Sequence, residues 1–172
     1  MKYLKYISVF IFYNLLNKII AVSNTTKNDL IKIGVNKKKI NVIYNFIKIK
    51  NNLNGKNLFK KYDSEKKIVK LLNIGIFKKV KNQSFLIDVA AILLNKYNLN
   101  FILIILGKGP LKKILKEKII SLKLENNVKL LEHTNDAYET LKNCDMYLSS
   151  SISESFGLTV LEALILNKKV VE

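Results

Sequence analysis

The sequence predicts an α/β fold built on a parallel sheet. Two observations carry the prediction. From residue 18 to the end, short apolar runs alternate with segments of helical period, the pattern of strands joined by crossover helices. Between Asn82 and Tyr97 the apolar residues Phe85, Leu86, Val89, Ala90, Leu93 and Leu94 recur on one helical face, as a helix laid on a sheet requires. Nearly half the chain is hydrophobic, 49% of 172 residues, and no polar low-complexity block interrupts it, so a sizeable core can form.

Each element has its own local signal. Lys18 to Val22 reads as a strand, and Ser23 to Gly34 as a helix with Ser23 or Asn24 as its cap and Gly34 as its stop. Ile40 to Tyr44 is a second strand. Lys48 to Lys67, rich in Asn and Lys, reads as a linker or irregular crossover. Ile68 to Ile74 is then a strand, Asn82 to Tyr97 a helix, Asn100 to Leu106 a strand and Pro110 to Leu122 a helix. Pro110 suits a first helical turn, where its missing N–H would have no partner anyway. Val128 to Leu131 and Met146 to Ser149 read as strands around a helix at 136–143. Gly157 to Leu166 is a final helix and Lys169 to Val171 a last strand.

Composition narrows the function classes. Cys144 is the single cysteine, so neither an internal disulfide nor a cysteine zinc cluster can form, which fits a reducing compartment. The formal charge of +17 suggests a nucleic-acid partner at first sight. All 30 basic residues are lysine, however, and arginine is the residue that makes bidentate contacts to phosphates and guanine edges. Lysine rises here together with Asn and Ile, as it does under an A- and T-rich coding bias, and no face interleaves aromatic and basic residues. The charge therefore reads mainly as a solvated surface, and nucleic acid is not an expected partner.

The first 22 residues place Lys2 and Lys5 before an apolar run from Tyr6 to Leu16, with a small residue at Ala21. Asn14, Asn17 and Lys18 argue against a signal peptide, and the run is shorter than the ~20 residues a bilayer core requires. The expected location is cytoplasmic.

Chemistry concentrates at Ser149 to Leu166. Small polar residues and a glycine stand where a strand ends and a helix begins, so the amides of Gly157, Leu158 and Thr159 could hold a phosphate there. Glu154 lies before that helix and Glu162 inside it. Fully helical spacing would put them about 12 Å apart along the axis, beyond the ~5 to 9.5 Å of a glycosidase carboxylate pair. They are better placed to grip two ends of an extended ligand. The plain alternative is a helix-start carboxylate and a solvated helix residue.

Ser151-Ile-Ser-Glu-Ser-Phe-Gly-Leu-Thr-Val-Leu-Glu-Ala163 resembles the signature of retaining nucleotide-sugar glycosyltransferases of family 4, which have the two-domain GT-B fold. Four more segments match in order: Ala21-Val-Ser23, Val42-Ile-Tyr-Asn45, Asn73-Ile-Gly75 with Lys81-Asn82, and Ile104-Ile-Leu-Gly-Lys-Gly-Pro110. The resemblance implies a Rossmann-like parallel sheet at 68–172 that binds the donor and is cut short at its C-terminal end. It implies a remnant of the acceptor domain at 1–47, and a linker at 48–67 between the two.

By resemblance, Glu154 lies by the donor sugar as the catalytic residue, Glu162 binds the nucleotide ribose, and the turn Ser155, Phe156, Gly157, Leu158 and Thr159 holds the diphosphate. Gly75 and Lys81 correspond to the glycine turn and the phosphate-binding lysine, whose charge offsets that of the departing diphosphate. Gly107 and Gly109 correspond to the loop beside the base. No metal or other cofactor is expected. The implied partners are a nucleotide-sugar donor, a saccharide or lipid-linked acceptor, the inner membrane face as a peripheral contact, and a separate acceptor-domain chain.

Departures stand beside the matches. Ile76 occupies a position where relatives usually carry arginine, with Lys78 or Lys79 as substitutes. Ser150 replaces a usual proline, Ser155 a usual glycine and Glu132 a common glycine. About two thirds of the acceptor domain has no counterpart, so a catalytically silent nucleotide-binding fragment and a subunit of a split enzyme are competing readings. A lone His133 carries no assignment.

Overall fold

The computed structural model describes residues 10–47, 55–63, 68–132 and 137–172. The start of the N-terminal apolar run, much of the 48–67 connection, His133 and Asp136 lie outside the described residues. Those described group into two compact units. One holds residues 10–47 with Glu154–Leu158, and the other holds 55–153 with Thr159–Glu172.

The first unit is a short βαβ element. Residues 10–15 are helical (α1), followed by β1 (Ile19–Ala21), α2 (Asn24–Lys32) and β2 (Ile40–Val42). The strands run parallel with Ile19 opposite Ile40. Ile19, Ala21, Val35 and Ile40 form the core, and Tyr13 and Leu16 of the apolar run pack against it. Among the described residues no helix is long and apolar enough to cross a membrane. Ser23 caps α2 by accepting the Thr26 N–H at 3.1 Å. Gly34 ends it at φ +91°, with the amides of Gly34 and Val35 returning to the carbonyls of Ile31 and Leu30.

The second unit is a five-stranded parallel sheet of order β5-β4-β3-β6-β7 with helices on both faces. Its elements are β3 (Val69–Ile74), α3 (Gln83–Asn95), β4 (Phe101–Leu106), α4 (Lys112–Ser121), β5 (Val128–Leu131), α5 (Ala137–Lys142), β6 (Met146–Leu148), α6 (Leu158–Ile165) and β7 (Lys169–Val171). Every residue of β4 is buried, as expected for a parallel strand covered on both sides. The period of two divides it: Phe101, Leu103 and Ile105 enter the layer packed by α3 and α4. Ile102, Ile104 and Leu106 enter the opposite layer with Leu141 of α5 and Ala163 of α6.

Two expectations need correction, and the 48–67 connection gains a detail. On α3, Leu86 and Ala90 are buried and Leu93 and Leu94 pack against the core as expected, but Gln83 and Ile87 join the buried stripe and Phe85 is half exposed, because the sheet-facing side is rotated away from Phe85. Helix α4 begins at Lys112 and leaves Pro110 in the preceding turn, where the Lys112 amide donates to Gly109 O. Within 48–67, Phe59 is fully buried and Tyr62 nearly so, both packed into the α5/α6 layer, so this part of the connection contributes to the core.

Cys144 is 2% exposed, and its thiol donates to Leu141 O at 3.2 Å. Burial pushes the thiol up to about 11. An unfolded cysteine ionises near pH ~8.5 while the folded one stays neutral, so this stabilisation is complete below that pH and is lost as pH rises toward the folded value. Between mildly and strongly alkaline buffers the wild-type urea midpoint is expected to fall more than that of Cys144→Ala. Parallel midpoints for the two chains would contradict this.

Candidate functional site

The site is assembled at the carboxyl ends of β3, β4 and β6, the edge where open parallel sheets place ligands. After β3 the chain makes the turn Gly75 to Lys81. After β4 it makes the turn Gly107 to Leu111. Backbone bonds knit the two turns together: the amides of Gly75 and Phe77 donate to Leu106 O and Lys108 O, and the Leu111 amide donates to Phe77 O.

Close approach explains both glycines of the second turn. A Cβ at Gly107 would lie 1.9 Å from Gly75 O and 2.7 Å from the Phe77 ring. At Gly109 the φ is +154° and a Cβ would lie 2.7 Å from Phe77 O. Gly75 is under less constraint, with Gln83 Nε2 at 3.3 Å from its would-be Cβ. The stem of Lys81 crosses the same spot, with Cγ at 3.6 Å, which lays this half-buried lysine over the glycine turn. Lys78 and Lys79 are exposed, as is Ile76.

A second set of bonds joins the β3 turn to the segment after β6. Asn73 Nδ2 donates to Leu148 O at 2.8 Å, Ser150 Oγ to Lys81 O at 2.8 Å, and the Ile152 amide to Val80 O at 2.8 Å. Tyr147 donates its hydroxyl to Ile74 O at 3.3 Å and lies 2.8 Å from Thr159 Oγ1. Thr159 stands in the first turn of α6 and is thereby tied to the end of β3. Glu162 follows one turn later on the same helix. Ser150, a departure at the sequence level, has a definite use here, since a proline could not make its bond to Lys81.

Of the expected site residues, Gly75, Lys81, Gly107, Gly109 and Thr159 are brought together by these loop contacts. Glu154, Ser155, Phe156, Gly157 and Leu158 are grouped with the first unit, where the Phe156 ring lies 6.3 Å from that of Tyr44. Gly157 adopts φ +73° just before α6 begins, a backbone state that favours glycine. Glu132 is exposed and pairs with Lys112, whose hydrogen bond and charge hold the carboxyl below its ordinary range. Sequence reasoning missed Gln83 and Tyr147, and read Ser150 only as a departure from the family pattern. Gln83 was detectable as the polar member of the stripe it shares with Leu86, Ile87 and Ala90.

The family profile described as Glycosyl transferases group 1 matches residues 54–171. The chain belongs to this family. A second profile, Glycosyltransferase Family 4, matches residues 1–51. An uncharacterized glycosyltransferase of Methanocaldococcus jannaschii is 42% identical over 100 residues, covering 58% of this chain and 24% of the relative. A capsular polysaccharide biosynthesis glycosyltransferase of Staphylococcus aureus is 31% identical over 150 residues, covering 85% and 39%.

Among solved structures, Staphylococcus aureus TarM, in complex with UDP, fondaparinux and alpha-GlcNAc-glycerol, superposes with a TM-score of 0.75 at 26% identity, covering 99% of this chain and 32% of that one. Anabaena HepE, in complex with UDP and glucose, superposes with a TM-score of 0.78 at 22% identity, covering 96% and 47%. The fold of this group 1 chain is thus that of GT-B glycosyltransferases, and it spans less than half the length of these relatives.

Proposed function

We propose that the second unit is the donor-binding half of a retaining glycosyltransferase of family 4. It takes a nucleotide sugar whose glycosyl group passes to a saccharide or lipid-linked acceptor. The observation that carries this is the convergence of the Gly75 to Lys81 turn, the Gly107 to Leu111 turn and Thr159 of α6 at one sheet edge of the second unit, held there by hydrogen bonds. UDP in the solved complexes of TarM and HepE supports the choice of ligand class.

In this reading Lys81 lies across the turn to offset the charge of the leaving diphosphate, and the amides that open α6 add the positive end of the helix dipole. Cationic and backbone groups would do this without a metal. Glu162 binds the ribose and Glu154 serves the sugar step. The complete reaction also needs acceptor-side residues, and a separate acceptor-domain chain is one source of them. The working location is cytoplasmic, peripheral on the inner membrane face.

Calorimetric titration with nucleoside diphosphates, followed by assays of donor hydrolysis and transfer, tests the reading. Binding is expected to be micromolar and little affected by moderate salt. Strongly salt-dependent binding to DNA without nucleotide affinity would overturn it, and binding without turnover would leave a silent nucleotide-binding fragment. Glu162→Ala is expected to weaken nucleoside diphosphate binding about tenfold, the loss of a bond or two at the ribose. Glu154→Ala should leave that affinity nearly unchanged and lower turnover. Equal loss of affinity in both would contradict the division of roles.

A further inference from the structure

Gln83 opens α3 and is 1% exposed, yet its side chain turns back beneath the β3 turn. Its Nε2 donates to Ile76 O at 3.2 Å and reaches Gly75 O at 3.5 Å. Its Oε1 is buried and has no hydrogen-bond partner among the described residues. A buried amide with an unpaired acceptor costs about 1–3 kcal/mol. A methionine or leucine would fill this place in a helix stripe at no such cost, so packing alone does not account for glutamine.

Gly75 O also lies against Gly107 on its other side. It occupies the space that a Cβ on residue 107 would take. A trans peptide is planar, with C=O and N–H pointing in opposite directions. Holding Gly75 O between Gln83 and Gly107 therefore turns the Ile76 N–H away from both. The neighbouring peptide follows the same rule, with Ile76 O facing Gln83 while the Phe77 N–H is directed to Lys108 O. Among the described residues the Ile76 N–H donates no backbone hydrogen bond.

We propose that Gln83 is a positioning residue that aims the Ile76 backbone N–H at a phosphate oxygen of the bound nucleotide. A backbone donor thereby takes over work that the exposed apolar side chain of Ile76 cannot do. The inference rests on the donor-site reading above and adds to it a residue acting through the main chain. Gln83 itself touches no ligand.

The test compares wild type with Gln83→Glu and Gln83→Met. The tightest of the uridine, guanosine and adenosine diphosphates is titrated alongside its parent nucleoside. Losing one hydrogen bond to a charged group predicts about tenfold weaker diphosphate binding in both variants, with nucleoside affinity unchanged. In Gln83→Glu the loss should reverse as pH falls far enough to protonate the new carboxyl, which can then donate to Gly75 O as the amide does. Gln83→Met should show no such recovery. In amide NMR spectra of the wild type, the Ile76 N–H should move downfield with the diphosphate and stay in place with the nucleoside.

Equal weakening of both ligands, with no acid recovery, would reduce Gln83 to a structural residue and overturn the proposal alone. Unchanged diphosphate affinity in folded Gln83→Met would do the same. A wild-type chain that binds none of the three diphosphates would overturn the donor-site reading, and this proposal with it. Thermal melts of each variant confirm folding, and Gln83→Met, close to isosteric, carries the test if Gln83→Glu does not fold.

Discussion

Gly107→Ala is expected to destabilise the second unit by about 3 kcal/mol or more, the upper range for forced overpacking. The added methyl group would sit 1.9 Å from Gly75 O and 2.7 Å from the Phe77 ring, and the first of these is backbone. A side chain can rotate away, but here the glycine turn itself must move. That turn carries Lys81 and is bonded to Ser150, so nucleotide affinity should fall together with stability. Gly109→Ala meets Phe77 O at 2.7 Å and adds an unfavourable φ, and should cost a comparable amount. Gly75→Ala meets the flexible amide of Gln83 at 3.3 Å and should cost clearly less. Urea unfolding of the three variants checks the ranking. A Gly107→Ala midpoint within error of wild type would show that the turns are not interlocked as described.

Phe77→Ala is expected to cost about 3–5 kcal/mol, the range for emptying an aromatic site in a core. Phe77 belongs to a turn yet is 0% exposed and packs with Leu86, Ile87 and Leu115. It is the point at which a surface loop is anchored in the interior. Its backbone also bonds Lys108 and Leu111, so the cavity would loosen both turns at once. Phe77→Leu, which retains most of the volume, should lose much less. Because Phe77 and Gly107 touch, the double variant should show a coupling energy rather than a simple sum. Thermal and urea unfolding of the single and double variants measure it.

The parallel sheet was legible because burial on both faces writes itself as unbroken apolar runs. Phe101 to Leu106 is the clearest case, with all six residues buried. Helix ends were legible where a glycine marked them, as at Gly34. They were less so where Asn98, Lys123 or Asn167 adopts positive φ in its place, since those residues look like ordinary surface polarity. The candidate site was legible as order and spacing of motifs, which places Gly75, Lys81, Gly107, Gly109 and Thr159 at one sheet edge. What spacing could not disclose is how the loops are fastened. The Tyr147 bond to Thr159 spans 12 positions and the Ser150 bond to Lys81 spans 69, and neither has a local signature. Phe85 was misplaced because two adjacent apolar residues, Leu86 and Ile87, leave the helix face ambiguous by most of a residue step.

The left-handed positions show where this chain does without glycine. Only six glycines occur in 172 residues, while Asn82, Asn98, Lys123 and Asn167 stand at backbone angles where glycine is the least costly residue. A left-handed backbone angle alone therefore does not require glycine here. The glycines at 107 and 109 stand instead where a Cβ would strike backbone. Space rather than backbone angle is what makes glycine irreplaceable at the two interlocked turns.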